Sequence, residues 1–132
     1  MPITKNSARQ CPVVAHVDIN LADLVSGSDL VAIELPLNAV VVDGGVTVTE
    51  VFNSTTSDVL DVGDATSQNR YLNDGNLRTL ARVPLVLTGF KAGTAERNIT
   101  VRWVSGGGTP TTGKLRLDVT YYVVGRAEFS QG

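Results

Sequence analysis

Apolar and polar positions alternate from Val13 almost to the end of the chain. Val13, Ala15, Val17 and Ile19 fall on one face of an extended backbone, and His16, Asp18 and Asn20 on the other. That is the period of a half-buried strand. A polar turn at Ser26-Gly27-Ser28-Asp29 precedes a second alternating run at 30–35, closed by Pro36, which has no N–H to give to a ladder. Two apolar runs follow, 40–42 and 46–52, separated by Asp43-Gly44-Gly45. Either a hairpin turn or a bulge in one long bent strand fits that interruption, and the bulge is favoured.

Residues 53–57 have turn chemistry and 58–62 form a short strand, with Val59 facing away from Leu60. The stretch 63–76 reads as the longest irregular segment, with Tyr71 and Leu72 as its apolar anchors. One helical turn is expected over 77–82. Strand periodicity returns at 83–87 and again at 99–104, where Ile99, Val101 and Trp103 alternate with Thr100, Arg102 and Val104 and Trp103 is expected in the core. After a glycine-rich turn at 105–113 comes the clearest strand. Leu115, Leu117, Val119, Tyr121 and Val123 point inward, and Arg116, Asp118, Thr120 and Tyr122 outward. Residues 126–132 form a polar tail. Residues 1–12 carry two prolines and no periodicity, which predicts an extended arm that needs a partner to order it.

The fold class is therefore all-β, a β-sandwich of Greek-key or jelly-roll type with about seven or eight strands. The arm, residues 1–12, precedes a single domain over 13–132. Composition agrees: 132 residues suffice for one core, and twenty valines with fourteen threonines suit a pleated, half-buried surface.

Charge narrows the functions available. The net charge is −2, the eleven basic residues are scattered singly along the chain, and 5% of residues are aromatic. No stripe of cations to neutralise phosphates and no stacking platform follows from this, which argues against nucleic acid as a partner. The N-terminus has no apolar segment after its basic residues, and no apolar run approaches the ~20 residues that span a bilayer. A soluble protein made in the cytoplasm, without Sec export and without a membrane partner, is expected.

Candidate chemistry is sparse. Gly108-Thr-Pro-Thr-Thr-Gly113-Lys114 has the spacing of a phosphate-cradling loop up to its lysine. That motif needs a following Ser or Thr and a helix, whereas Leu115 follows and opens a strand. Asp58, Asp61 and Asp64, with Asn69 behind them, are oxygen donors at a spacing a calcium ion tolerates, but they lack the alternate-position Asx ligands and the twelfth-position Glu of an EF-hand. Solvated turn aspartates are the simpler reading. His16 is the single histidine and Cys11 the single cysteine. They cannot complete a four-ligand zinc site, and no G-x-S-x-G string presents a serine for His16 to activate. His16 is read as an outward-facing strand residue and Cys11 as a structural thiol. No residue qualifies as catalytic, and no cofactor is expected.

The strings Val48-Thr-Glu-Val-Phe-Asn-Ser, Asp61-Val-Gly-Asp-Ala, Asn69-Arg-Tyr-Leu, Ser105-Gly-Gly-Gly, Thr112-Gly-Lys-Leu-Arg-Leu-Asp-Val-Thr-Tyr and Val124-Gly-Arg-Ala-Glu-Phe resemble small structural proteins of tailed-bacteriophage virions, over about residues 30–130 and not the arm. The resemblance implies a head decoration or cement protein that associates as a homotrimer, grips the major capsid protein and resides on the capsid surface of a virion assembled in the host cytoplasm. Under that expectation Ile3, Lys5 and Arg9 of the arm are the candidate capsid contacts. Two other readings stand beside it. One is a tail or fibre component of the virion. The other is a carbohydrate-binding module using the loops at 63–76 and 105–113 as a rim.

Overall fold

A computed structural model of the chain describes residues 3–127 and the strand Phe129–Ser130; the first two residues of the expected arm and Glu128, Gln131 and Gly132 of the expected tail lie outside the described residues. Among the described residues there are ten strands: β1 Ala8–Arg9, β2 Val13–Asn20, β3 Asp29–Glu34, β4 Ala39–Glu50, β5 Asp58–Gly63, β6 Leu72–Asn76, β7 Arg82–Pro84, β8 Asn98–Ser105, β9 Lys114–Val123 and β10 Phe129–Ser130. Eight of them build two four-stranded antiparallel sheets, in the orders β2-β9-β4-β7 and β3-β8-β5-β6, and β1 pairs with β10 in a short ribbon. Between the sheets, the first sandwich strand pairs with the last, the second with the second to last, and so inward to β5 with β6. A long hairpin rolled so that β9 also meets β4 and β8 also meets β5 has this order, which is the jelly roll.

The core lies where the inward faces meet. Val46, Val62, Leu60, Leu77, Ile99, Leu117 and Val119 have no exposed surface there, and Phe52 and Trp103 sit tilted with ring centroids 6.0 Å apart. The expected alternation holds along β9, and along β2 burial deepens from exposed Val13 to buried Ile19.

The interruption at Asp43-Gly44-Gly45 is a bulge inside one twelve-residue strand. Val41 pairs with Tyr121 and Asp43 with Thr120, so Val42 is the extra residue. Gly44 is required by close approach, since a Cβ there would lie 2.6 Å from the Asp118 carbonyl oxygen and 2.8 Å from Leu85 Cδ1.

Three local expectations are corrected. Residues 77–82 form no helical turn, because the Leu77 N–H is donated to the Asp58 carbonyl while the Leu77 carbonyl accepts from Phe52, holding the chain extended. The segment 63–76 is not irregular throughout, since its last five residues are β6. The strand expected at 83–87 is only β7, after which Leu85 and Val86 bond outside any ladder.

Candidate interaction surface

Antiparallel strand directions sort the loops onto two ends. Loops 21–28, 51–57, 77–81 and 106–113 share one end; loops 35–38, 64–71 and 85–97 share the other with the arm and the end of β9. The segment 64–71 and the glycine-rich loop thus sit at opposite ends of β8, which separates the two halves of the carbohydrate rim expected from the sequence.

Gln10 attaches the arm to the sandwich. Gln10 donates through Nε2 to the carbonyls of Val123 (2.6 Å) and Arg126 (3.0 Å), and its Oε1 accepts the Val123 N–H at 2.9 Å. Ala8 and Arg9 then pair with Ser130 and Phe129, so part of the arm is ordered by the chain's own tail. Ile3, Lys5 and Arg9 are all exposed, Ile3 to 95%. Arg9 bonds the carbonyls of Asn6 and Ala8. Cys11, expected as a structural thiol, is exposed as well.

Beside the arm, the outer face of the β2-β9-β4 strands carries exposed apolar side chains among the polar Asp43 and Thr120. Cross-strand partners share a face, so Val14 lies opposite Thr120, and Tyr122 lies in a row with Val40 and, through an isolated bridge, Lys91. Val14 is 61% exposed, Val42 48%, Val124 42% and Tyr122 38%. The sign of charge also differs between the ends. Lys5, Arg9, Arg70, Lys91, Arg97 and Arg126 belong to the arm end, against the carboxylates Glu34, Asp43, Asp64 and Glu96. The rest of the sandwich holds the other five cations and, Glu128 aside, the other eight carboxylates. Cations that are scattered singly in sequence are gathered by the fold.

The three aspartates considered for calcium are each committed to separate structural work. Asp58 is fully buried and accepts from the Ser54 N–H (2.9 Å), the Ser54 hydroxyl (2.5 Å), the Trp103 indole N–H (3.0 Å) and Arg78 (3.1 Å). Asp61 accepts the Asp74 N–H at 2.7 Å. Asp64 closes the loop after β5, accepting from the N–H groups of Thr66 (3.0 Å) and Ser67 (2.9 Å) and from Arg70 at 2.5 Å. Burial raises the Asp64 pKa, yet the Arg70 bond and the donors of Ser67 and Thr66 together outweigh it and hold the carboxyl below its usual value of 3.8. Arg70 in turn lies 3.5 Å over the Phe90 ring, which ties loop 64–71 to loop 85–97. Burial pushes the Tyr71 hydroxyl up, with the Asp64 charge adding to it. Asn69 donates to Asn73 and does not join the aspartates. Among the described residues no three His, Cys, Asp or Glu side chains are grouped to hold a metal ion.

The phosphate-loop lookalike turns three of its N–H groups inward to neighbouring side chains. Asn53 Oδ1 accepts the N–H groups of Thr111 and Thr112, and Glu50 Oε1 accepts that of Gly113 at 3.0 Å. The loop runs straight into β9, with no helix following. His16 is exposed on β2 opposite Asp118, as its place in the alternation requires. No helix among the described residues is long and apolar enough to cross a membrane. Sequence reasoning named the arm residues and did not name the sheet face, because Val14, Val42, Lys91 and Tyr122 are brought together only by the register of β2, β4 and β9.

No protein-family model and no curated protein matches the sequence. Solved structures do match in fold. A chain of the capsid asymmetric unit of cyanophage Pam1 superposes with a TM-score of 0.69 at 20% identity, over 93% of this chain and 99% of that one. A chain of the acid-stable capsid of Helicobacter pylori bacteriophage KHP30 gives 0.67 at 18% identity, covering 86% and 89%. A chain of the capsid of Ralstonia phage GP4 gives 0.61 at 21% identity, covering 96% and 92%. The fold of this chain, over nearly its whole length, is one found in chains of phage capsid structures.

Proposed function

We propose that this chain is a non-enzymatic structural protein of a tailed-phage virion, a decoration or cement protein that binds the major capsid protein on the outer surface of the head as a homotrimer. The observation that carries this reading is the jelly roll it shares, almost end to end, with chains of three phage capsid structures. The commitment of the candidate aspartates, and of three N–H groups of the candidate phosphate loop, to internal hydrogen bonds supports it.

The physics of such a role asks for contact surface and no reactive centre. A protein that binds the assembled shell and not its free subunits stabilises the shell by mass action. Three linked arms raise the effective concentration of each contact once the first has formed, so each contact can be weak.

The test is reconstitution. Heads of the same phage prepared without this protein are mixed with purified protein and imaged, and the native mass of the free protein is measured by light scattering. The proposal expects density over the whole head, a species of about three times 13.9 kDa, and greater resistance of decorated heads to heat. A variant lacking residues 1–12 is expected to fold and to leave the heads bare. Bare heads with the intact protein, or density confined to the tail, would overturn the reading.

A further inference from the structure

We propose that the arm is not the whole attachment site. On this inference, which rests on the decoration reading, the outer sheet face at the arm end, formed by Val14, Val42, Tyr122 and Val124 and flanked by Lys91 and Arg126, seats on a carboxylate-bearing surface of the capsid protein.

Three exposed apolar side chains on the outer sheet face, Val14, Val42 and Tyr122, together with Val124 in the turn after β9, lie beside the point where Gln10 fixes the arm and form a surface continuous with it. Tyr122 is the side chain of the type that anchors interfaces, with a broad ring and a hydroxyl at its tip. The sign of the charge selects the occupant. The arm end holds more cations than carboxylates, Asp64 there is already held by Arg70, and the exposed Asp43 on the face is outnumbered by Lys91 and Arg126 beside it. A second copy meeting this face through the same face would set cation against cation, which disfavours self-association there. An acidic partner surface meets no such penalty and is steered toward this end of a molecule whose other end is negative. Size argues that the face and the arm act together. Four side chains fall well short of the roughly 800 Å² per partner of a stable interface, so neither suffices without the other or without several linked copies.

The experiment keeps the arm intact. Three variants are compared with the wild type for binding to heads prepared without the protein: Lys91→Glu/Arg126→Glu, Tyr122→Ser/Val124→Ser, and Thr109→Glu at the opposite end as a control. Circular dichroism and native mass establish that each variant is folded and assembled. The expected result is about tenfold weaker binding for both face variants, a flatter salt dependence for the charge variant, and wild-type binding for the control. A photo-cross-linking residue at position 122 is expected to give an adduct with the capsid protein. Folded face variants that decorate like wild type, or a cross-link joining two copies of this chain, would overturn the inference and leave the arm as the sole contact. Failure of the wild type itself to bind heads would instead overturn the decoration reading.

Discussion

Asp58 shows what a single position contributes. Its carboxylate is fully buried at the mouth of the core, where it receives Ser54 twice, the indole of Trp103 and the guanidinium of Arg78. Removing one partner of a buried, hydrogen-bonded ion leaves the others desolvated and unmatched. Asp58→Ala is therefore expected to cost about 3 kcal/mol, at the low end for a broken buried pair because the Arg78 side chain is 36% exposed. Urea unfolding followed by Trp103 fluorescence measures it, and the native emission shifts too because the indole loses its acceptor. Asp64 governs behaviour in acid. Its folded pKa lies below the unfolded value, so the stability it contributes is full above pH 3.8 and is lost as pH falls through the lower folded value. Arg70→Met removes one of the groups that hold the pKa down and leaves burial less opposed. The acid-unfolding midpoint is expected to move to higher pH, and an unchanged midpoint would assign the loop's acid stability elsewhere. In the sequence these aspartates are three evenly spaced acids. Nothing in that spacing reveals that they point to separate partners, because the partners Trp103, Arg78 and Arg70 lie 45, 20 and 6 residues away.

At the scale of elements, legibility followed burial. Strands with one face in the core, β2, β8 and β9, carry the period-two pattern and are plain in the sequence. β6 is not, because Leu72–Asn76 reads Leu-Asn-Asp-Gly-Asn and holds its place by other means. It is a sheet-edge strand in which Asp74 takes a positive φ of 53° while Asp61 accepts its N–H. The helical turn expected at 77–82 failed for a related reason, since tertiary hydrogen bonds from Leu77 override a weak local preference. β4 carries a test of its own. Val42 is the unpaired residue of the bulge, so deleting it joins Val41 to Asp43 with the pairing to Tyr121 and Thr120 unchanged and the in-out alternation intact. Deleting Thr47 instead moves one side of the strand by a residue and turns its buried valines outward. The expectation is that the Val42 deletion folds with a modest drop in melting temperature, while the Thr47 deletion abolishes the cooperative transition. Equal damage from both would mean that the bend itself is indispensable.

For the whole molecule, the pattern of alternation yielded the class and nearly the strand count, but not the order. A jelly roll pairs strands that are far apart in sequence, and alternation reports which face a strand buries and not which neighbour it meets. The candidate surface was legible to the same degree. The exposed arm could be read from its lack of pattern, whereas the gathering of cations at one end depends on which loops share that end. The same topology bears on how the protein comes into being. β9 is the last strand of the sandwich and lies between β2 and β4 in the middle of its sheet, so neither can settle until Val123 has been made. A chain ending at Ser105 is expected to stay unfolded, as absent amide protection would show. Nearly the entire polypeptide must then leave the ribosome before the β2-β9-β4-β7 sheet closes, and the long-range pairing that follows is slow. An incomplete product is left for proteolysis, and only finished copies reach the folded state.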